Sequence, residues 1–137
     1  DLARQMAMDA EGATKLALIG VRGAATHAEA RRAARAVAGS QLVQCSLYGA
    51  DPYWGRIVSE LGSAGVEFDP DKVAIAYGGV AVCVEGVAVS HDEAAVAAHL
   101  NGRAVQIVAY LGLGEGEADV VTTDLSPAYV AENMRTS

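Results

Sequence analysis

Residues 49–56, Gly-Ala-Asp-Pro-Tyr-Trp-Gly-Arg, hold the only tryptophan of the chain. The chain has one Trp and one Phe in 137 residues, so a large ring here marks a packing anchor or the wall of a site. Asp followed by Pro reads as a helix start, with Asp51 as the cap and Pro52 in the first helical position. The expected helix runs to about Leu61 and carries Trp54 in its first turn.

Apolar residues make up 52% of the sequence, enough for a core. They are mostly Ala, Val and Leu, so close packing of small side chains has to replace aromatic bulk. A net charge of −7 argues against nucleic acid, because phosphate binding needs clustered Lys and Arg. The one basic cluster, Arg31-Arg32-Arg35, alternates with Ala and reads as a solvated helix face. Cys45 and Cys83 show neither metal spacing nor a redox motif. They read as small core residues of a reduced, cytoplasmic protein. No apolar run reaches the ~18–20 residues of a membrane span, and no signal-peptide pattern is present.

The opening Asp-Leu-Ala-Arg-Gln-Met-Ala-Met places Leu2, Met6 and Asp9 at helical spacing, as it does Ala3 and Ala7. It reads as the later part of an amphipathic helix. The expectation is a single C-terminal α/β domain, residues 1–137, of a longer chain.

After a helix over residues 1–10, Lys15 to Arg22 alternates as a strand, with Ala17, Ile19 and Val21 on one face. Thr26 with Glu29 forms a capping box for a helix to about Ala38, stopped by Gly39. Gln41 to Tyr48 fits strand or helix. Beyond the helix at Asp51, a loop covers Gly62, Gly65 and Asp69-Pro70-Asp71. Lys72–Tyr77 and Val80–Val84 read as strands joined by a tight turn at Gly78-Gly79. Ser90 with Glu93 reads as a second capping box, for a helix to about Leu100 that Asn101-Gly102 ends. Ala104–Leu111 and Ala118–Thr123 read as a second hairpin about the glycines at 112, 114 and 116. Ser126-Pro127 opens a last helix to about Met134. This order predicts an α+β-type α/β fold, a mixed and largely antiparallel sheet covered by helices.

Gly112-x-Gly114-x-Gly116 is followed by a strand and not a helix, so it lacks the context of a phosphate loop. His27, His91 and His99 are isolated, and no metal is expected. In Asp9-Ala-Glu11-Gly12-Ala-Thr14-Lys15, two carboxylates and a glycine mark the passage from helix to strand. Such a carboxylate suits an ammonium-bearing ligand, because a charge-assisted hydrogen bond is roughly twice as strong as a neutral one. A helix-end decoration paired locally with Lys15 is the other reading of the same residues. The segment Thr122–Ser137 carries hydroxyls and an amide, with few tail-like polar runs, and is expected to tuck into the fold.

Four segments in order resemble the C-terminal part of the ornithine acetyltransferase family, the bifunctional glutamate N-acetyltransferase/amino-acid acetyltransferase. They are Asp9–Lys15, Ser40–Val43 leading into Asp51–Arg56, Asp69–Val73, and Thr123–Ser126 with Tyr129-Val130 and Asn133. The resemblance implies the C-terminal portion of an N-terminal-nucleophile-type layered fold. It also implies a precursor that cuts itself before a threonine, giving α and β chains that stay together.

In that family the new N-terminal threonine takes an acetyl group from N-acetylornithine and passes it to glutamate, in arginine biosynthesis. On this reading no catalytic residue lies in the chain, and the threonine is expected upstream. The family's substrate-binding glutamate falls on Glu11, its asparagine on Asn133 and its terminal hydroxyl on Ser137, for which Thr136 competes. The sequence departs from the family at Tyr53, usually Asn, and at Gln44-Cys45, usually Lys-Thr. The implied partners are the α chain, the upstream β-chain segment, N-acetylornithine, ornithine and glutamate, in a hetero-oligomer of α and β chains with no nucleic acid and no membrane. No cofactor is implied, with acetyl-CoA as the one co-substrate to test. A related amide hydrolase of similar architecture and a non-catalytic assembly domain are the alternatives.

Overall fold

The computed structural model describes residues 14–125. The helices expected over 1–10 and after Ser126 lie outside the described residues. Ten elements follow in order: β1 (Leu16–Ala24), α1 (His27–Ala38), α2 (Gln41–Tyr48), α3 (Trp54–Ser63), β2 (Ala74–Tyr77), β3 (Val80–Val84), β4 (Val87–Ala88), α4 (Glu93–Leu100), β5 (Ala104–Tyr110) and β6 (Gly116–Thr123). The strands form one sheet in the order β4-β3-β2-β5-β1-β6. Among the described residues only β1 and β5 pair in parallel, and the other four pairings are antiparallel. The mixed, largely antiparallel sheet expected from the sequence is therefore present.

The alternation along β1 decides where the core sits. Ala17, Ile19 and Val21 lie beside Val105, Ile107 and Ala109 of β5, and all six are buried. Side chains two apart on a strand share a face, so this face takes the helices. Ala30, Ala33, Ala34 and Val37 of α1, Val43 and Leu47 of α2, Ile57 and Leu61 of α3, and Val96 and Leu100 of α4 join it in one core cluster. Trp54 is half-buried against that cluster, the first of the two roles its ring suggests.

Three helix starts follow different rules. Thr26 accepts from the Glu29 amide at 3.1 Å and caps α1 as expected. Ser40 accepts from the Val43 amide at 3.3 Å, which resolves Gln41–Tyr48 as helix. The helix expected from Asp51 instead begins at Trp54, with Tyr53 at the cap and no side-chain capping bond. The Tyr53 amide donates to Asp51 O and the Trp54 amide to Pro52 O, both at 2.8 Å. These i to i+2 bonds are tight γ-type turns that consume the residues read as the first helical turn. Likewise α4 is capped by Asp92, which accepts from the Ala95 amide at 3.0 Å. Ser90, read as the cap, stands two residues outside.

The second expected hairpin is absent. β5 and β6 do not pair, because β1 lies between them. Residues 112–115 instead cross over the end of β1, where the amides of Leu113 and Gly114 both donate to Gly23 O, at 2.7 and 3.0 Å. That crossing explains the glycines. A Cβ on Gly114 would stand 2.9 Å from Ala24 O, and one on Gly116 would overlap the Thr26 carbonyl. The short β4, joined to β3 through Glu85 and Gly86 at positive φ, has no counterpart in the sequence reading. Cys83 is buried as expected, and burial pushes its thiol pKa up. Cys45, also read as a core residue, is exposed. It falls on the outer face of α2, opposite Val43 and Leu47.

Candidate functional site

Glu11, Asn133 and Ser137, with Thr136, lie outside the described residues. The structure does describe the points where the chain leaves the Glu11 segment and where it heads toward Asn133. β1 and β6 pair antiparallel, and Leu16 lies opposite Thr123. Lys15 and Asp124, just beyond that pair, are therefore neighbours.

Asp124 is 0% exposed, and burying a carboxylate is costly unless hydrogen bonds compensate. Three donors do so. The amides of Thr14 and Lys15 donate to its Oδ1 at 2.8 and 3.0 Å, and the Thr14 hydroxyl donates to its Oδ2. In return the Asp124 amide donates to Lys15 O at 3.3 Å.

Residues of α2 hold the same junction from the helix side. Lys15 is 8% exposed, and its ammonium donates to Leu47 O at 2.6 Å. The Leu125 amide donates to Gln44 O at 3.1 Å. Gln44 Nε2 donates to Ala38 O and to Thr122 Oγ1, both at 3.1 Å, while the Thr122 hydroxyl donates to Ala38 O at 2.7 Å. Gln44 thus ties α1, α2 and β6 together. Tyr53 is 53% exposed.

In the sequence, Asp124 and Thr14 stand out only as parts of the family segments. Nothing in their local spacing foretold that they meet across 110 residues.

Two further concavities lie elsewhere. A cleft of about 230 Å³ is walled by Trp54, Val82, His91, Glu93 and Val96. In it, His91 Nδ1 donates to Val89 O at 2.9 Å. A depression of about 410 Å³ lies between His27 and Arg31 of α1 and Glu117 and Asp119 of β6. Arg22 pairs with Asp119 at 2.9 Å and approaches Glu117 at 3.8 Å. Among the described residues no group of His, Cys, Asp and Glu could hold a metal ion, and no helix is long and apolar enough to cross a membrane.

The described residues thus form an α/β layer in which a buried carboxylate fastens the start of β1 to the end of β6. The ArgJ family model matches residues 1–136, and the chain belongs to that family. It is 44% identical over 133 residues to the arginine biosynthesis bifunctional protein ArgJ of Mycobacterium tuberculosis (strain ATCC 25618 / H37Rv), covering 97% of this chain and 32% of that protein. It is 43% identical over 136 residues to the glutamate N-acetyltransferase of Methanopyrus kandleri, covering 97% of this chain and 35% of that protein. The crystal structure of an arginine biosynthesis bifunctional protein ArgJ from Bacillus halodurans superposes with a TM-score of 0.91 at 37% identity, covering 98% of this chain and 64% of that one. The chain therefore spans about a third of the length of the curated relatives it matches. The resemblance read from the four segments and the fold class both stand.

Proposed function

We propose that this chain is the substrate-binding part of a glutamate N-acetyltransferase of arginine biosynthesis, acting in the cytoplasm as one part of a longer, self-cleaved polypeptide. The threonine nucleophile lies upstream of it. Its hydroxyl oxygen attacks the acetyl carbon of N-acetylornithine, the amide bond breaks, and ornithine leaves with its amine reprotonated. The glutamate amine then attacks the acyl-threonine ester, and the threonine hydroxyl is regenerated. This is the ping-pong form of nucleophilic catalysis. Glu11 holds the cationic amine, and Asn133 and Ser137 bind substrate from the C-terminal side. Acetyl-CoA as a second donor is a separate property that the same assay resolves.

The observation that supports this reading best is the junction at Asp124. The segment that carries Glu11 and the segment that leads to Asn133 leave the sheet side by side, fastened by one buried carboxylate. A binding site assembled from the two chain ends requires such a meeting.

Glu11→Gln in the full-length protein keeps the shape and removes the charge. A hydrogen bond to a charged group contributes about 1.5–3 kcal/mol, so kcat/KM for N-acetylornithine falls roughly 10- to 150-fold. Self-cleavage involves no external amine and proceeds as in wild type. Wild-type kcat/KM in this variant makes Glu11 a helix-end decoration and removes the assignment.

A further inference from the structure

The geometry points to a second ligand site, a guanidinium-binding cleft walled by Trp54, His91 and Glu93. The cleft of about 230 Å³ opens at the starts of α3 and α4 and reaches Val82 of β3. Two of its lining residues, Val82 and Val96, are buried apolar side chains, which suits an aliphatic stem. At about 30 Å³ for each water-sized group, it has room for roughly seven or eight non-hydrogen atoms.

The polar walls select the charge of the occupant. His91 Nδ1 donates to Val89 O at 2.9 Å, so the neutral ring keeps a lone pair on Nε2, an acceptor. The Glu93 carboxylate is exposed and accepts as well. The face of an indole attracts cations more strongly than any other aromatic ring. Neither Lys nor Arg is among the lining residues. All three groups therefore favour one partner, a cation rich in N–H donors. A guanidinium meets this better than an ammonium, because it is flat, stacks on an aromatic face, carries five donors and is more weakly hydrated.

Helix starts favour anions, and two of them border this cleft. At α4 that preference is already met. Asp92 accepts from the Ala95 amide as the cap, and Glu93 adds an acidic side chain in the first turn. At α3 no side chain caps the helix, but the partial charge of a helix end is about half an elementary charge, against a whole one on Glu93. The balance is toward a cation. Ala50, which also lines the cleft, is held at a positive φ of 53°, a strained conformation for a residue with a Cβ. The two tight turns that follow it bring Trp54 to the wall.

The test is calorimetric titration of the full-length protein with n-butylguanidinium. n-Butylurea serves as the neutral probe of the same shape, n-butylammonium as the point charge and inorganic phosphate as the anion. We expect saturable binding of butylguanidinium, weaker binding of butylammonium, and none of butylurea or phosphate. Glu93→Gln keeps the shape of an exposed side chain and should weaken butylguanidinium binding about tenfold, the scale of a lost hydrogen bond to a charged group. Trp54→Leu keeps an apolar side chain against the core and should weaken it about threefold to thirtyfold, the range of a cation–π contact. Should Trp54→Leu fail to fold, Glu93→Gln and butylurea decide between them. No saturable binding, equal binding of butylurea, or affinity unchanged in either folded variant overturns the site. Tighter binding of butylammonium overturns the choice of guanidinium, and tighter binding of phosphate gives the cleft to the helix starts instead.

Discussion

The ammonium of Lys15 donates to the carbonyl oxygen of Leu47 at 2.6 Å, joining the entrance of the first strand to the last turn of α2. No basic residue of α2 itself lies in that turn, so Lys15 supplies from outside the cation that the carbonyl end of a helix favours. Its four-carbon stem is buried with it.

Lys15→Met retains the stem and removes the donor. The expected loss is about 1.5–3 kcal/mol, the range for a hydrogen bond to a charged group. Urea unfolding of the protein with and without the substitution measures it. A variant with an unchanged midpoint and slope would show that the ammonium contributes nothing net at this position.

Gly116→Ala addresses the crossing of residues 112–115 over β1. Its Cβ would meet the Thr26 carbonyl, which is backbone at a helix cap and cannot swing aside. Overpacking of this kind costs typically about 1–3 kcal/mol and occasionally more, and here we expect the upper end or beyond. Gly79→Ala is the control. It stands in open space, although its positive φ of 84° carries its own cost. Thermal unfolding should rank Gly116→Ala well below Gly79→Ala, and the reverse order would mean that the loop relaxes freely.

Much of the fold was written in local signals, and the misses share a cause. The alternation of Ala17, Ile19 and Val21, the Thr26 cap and the Gly78-Gly79 turn each depend on neighbours within a few residues, so the sequence displays them. The place of β1 between β5 and β6 does not. Five residues with three glycines suit a hairpin or a crossing equally well, and the crossing is set by the distant pairing of β6 with β1. Asp51-Pro52 misled because Ala50 adopts positive φ, 53°, and the two tight turns after it delay the helix to Trp54. Two residues of β4 are too short for any alternation to register. At the site, nothing local to Lys15 foretells that its stem is buried and its ammonium rests on Leu47 O.

Tyr77 supplies a pH-dependent prediction. Its ring is 1% exposed, and its hydroxyl has no hydrogen-bond partner among the described residues. Burial pushes its pKa well above the ordinary 10.0, and the Asp51 carboxylate adds to the shift. Below pH 10 the hydroxyl is protonated in both folded and unfolded chains, so this contribution to stability is fully present and constant. Above that pH the unfolded chain ionises while the folded one cannot, and stability falls as pH rises. Tyr77→Phe removes both the unpaired hydroxyl and this linkage. An unsatisfied buried group costs about 1–3 kcal/mol, so the Phe variant should be at least as stable at pH 7. Its advantage over wild type should widen between pH 9 and 11, by roughly 1.4 kcal/mol for each full unit above the unfolded pKa. Unfolding curves across that range decide, and a constant gap would show that Tyr77 ionises freely in the folded protein.

The most direct test of the functional account is a single-turnover experiment on the full-length protein carrying this chain, using N-acetylornithine labelled in its acetyl group. Intact-mass analysis before glutamate is added should find one labelled acetyl group on the N-terminal threonine of the newly cut chain. Adding glutamate should discharge it quantitatively into N-acetylglutamate. Labelled acetate released to water at the same rate with and without glutamate would make the protein a hydrolase, and an enzyme that never acquires the label would contradict the acyl-threonine route.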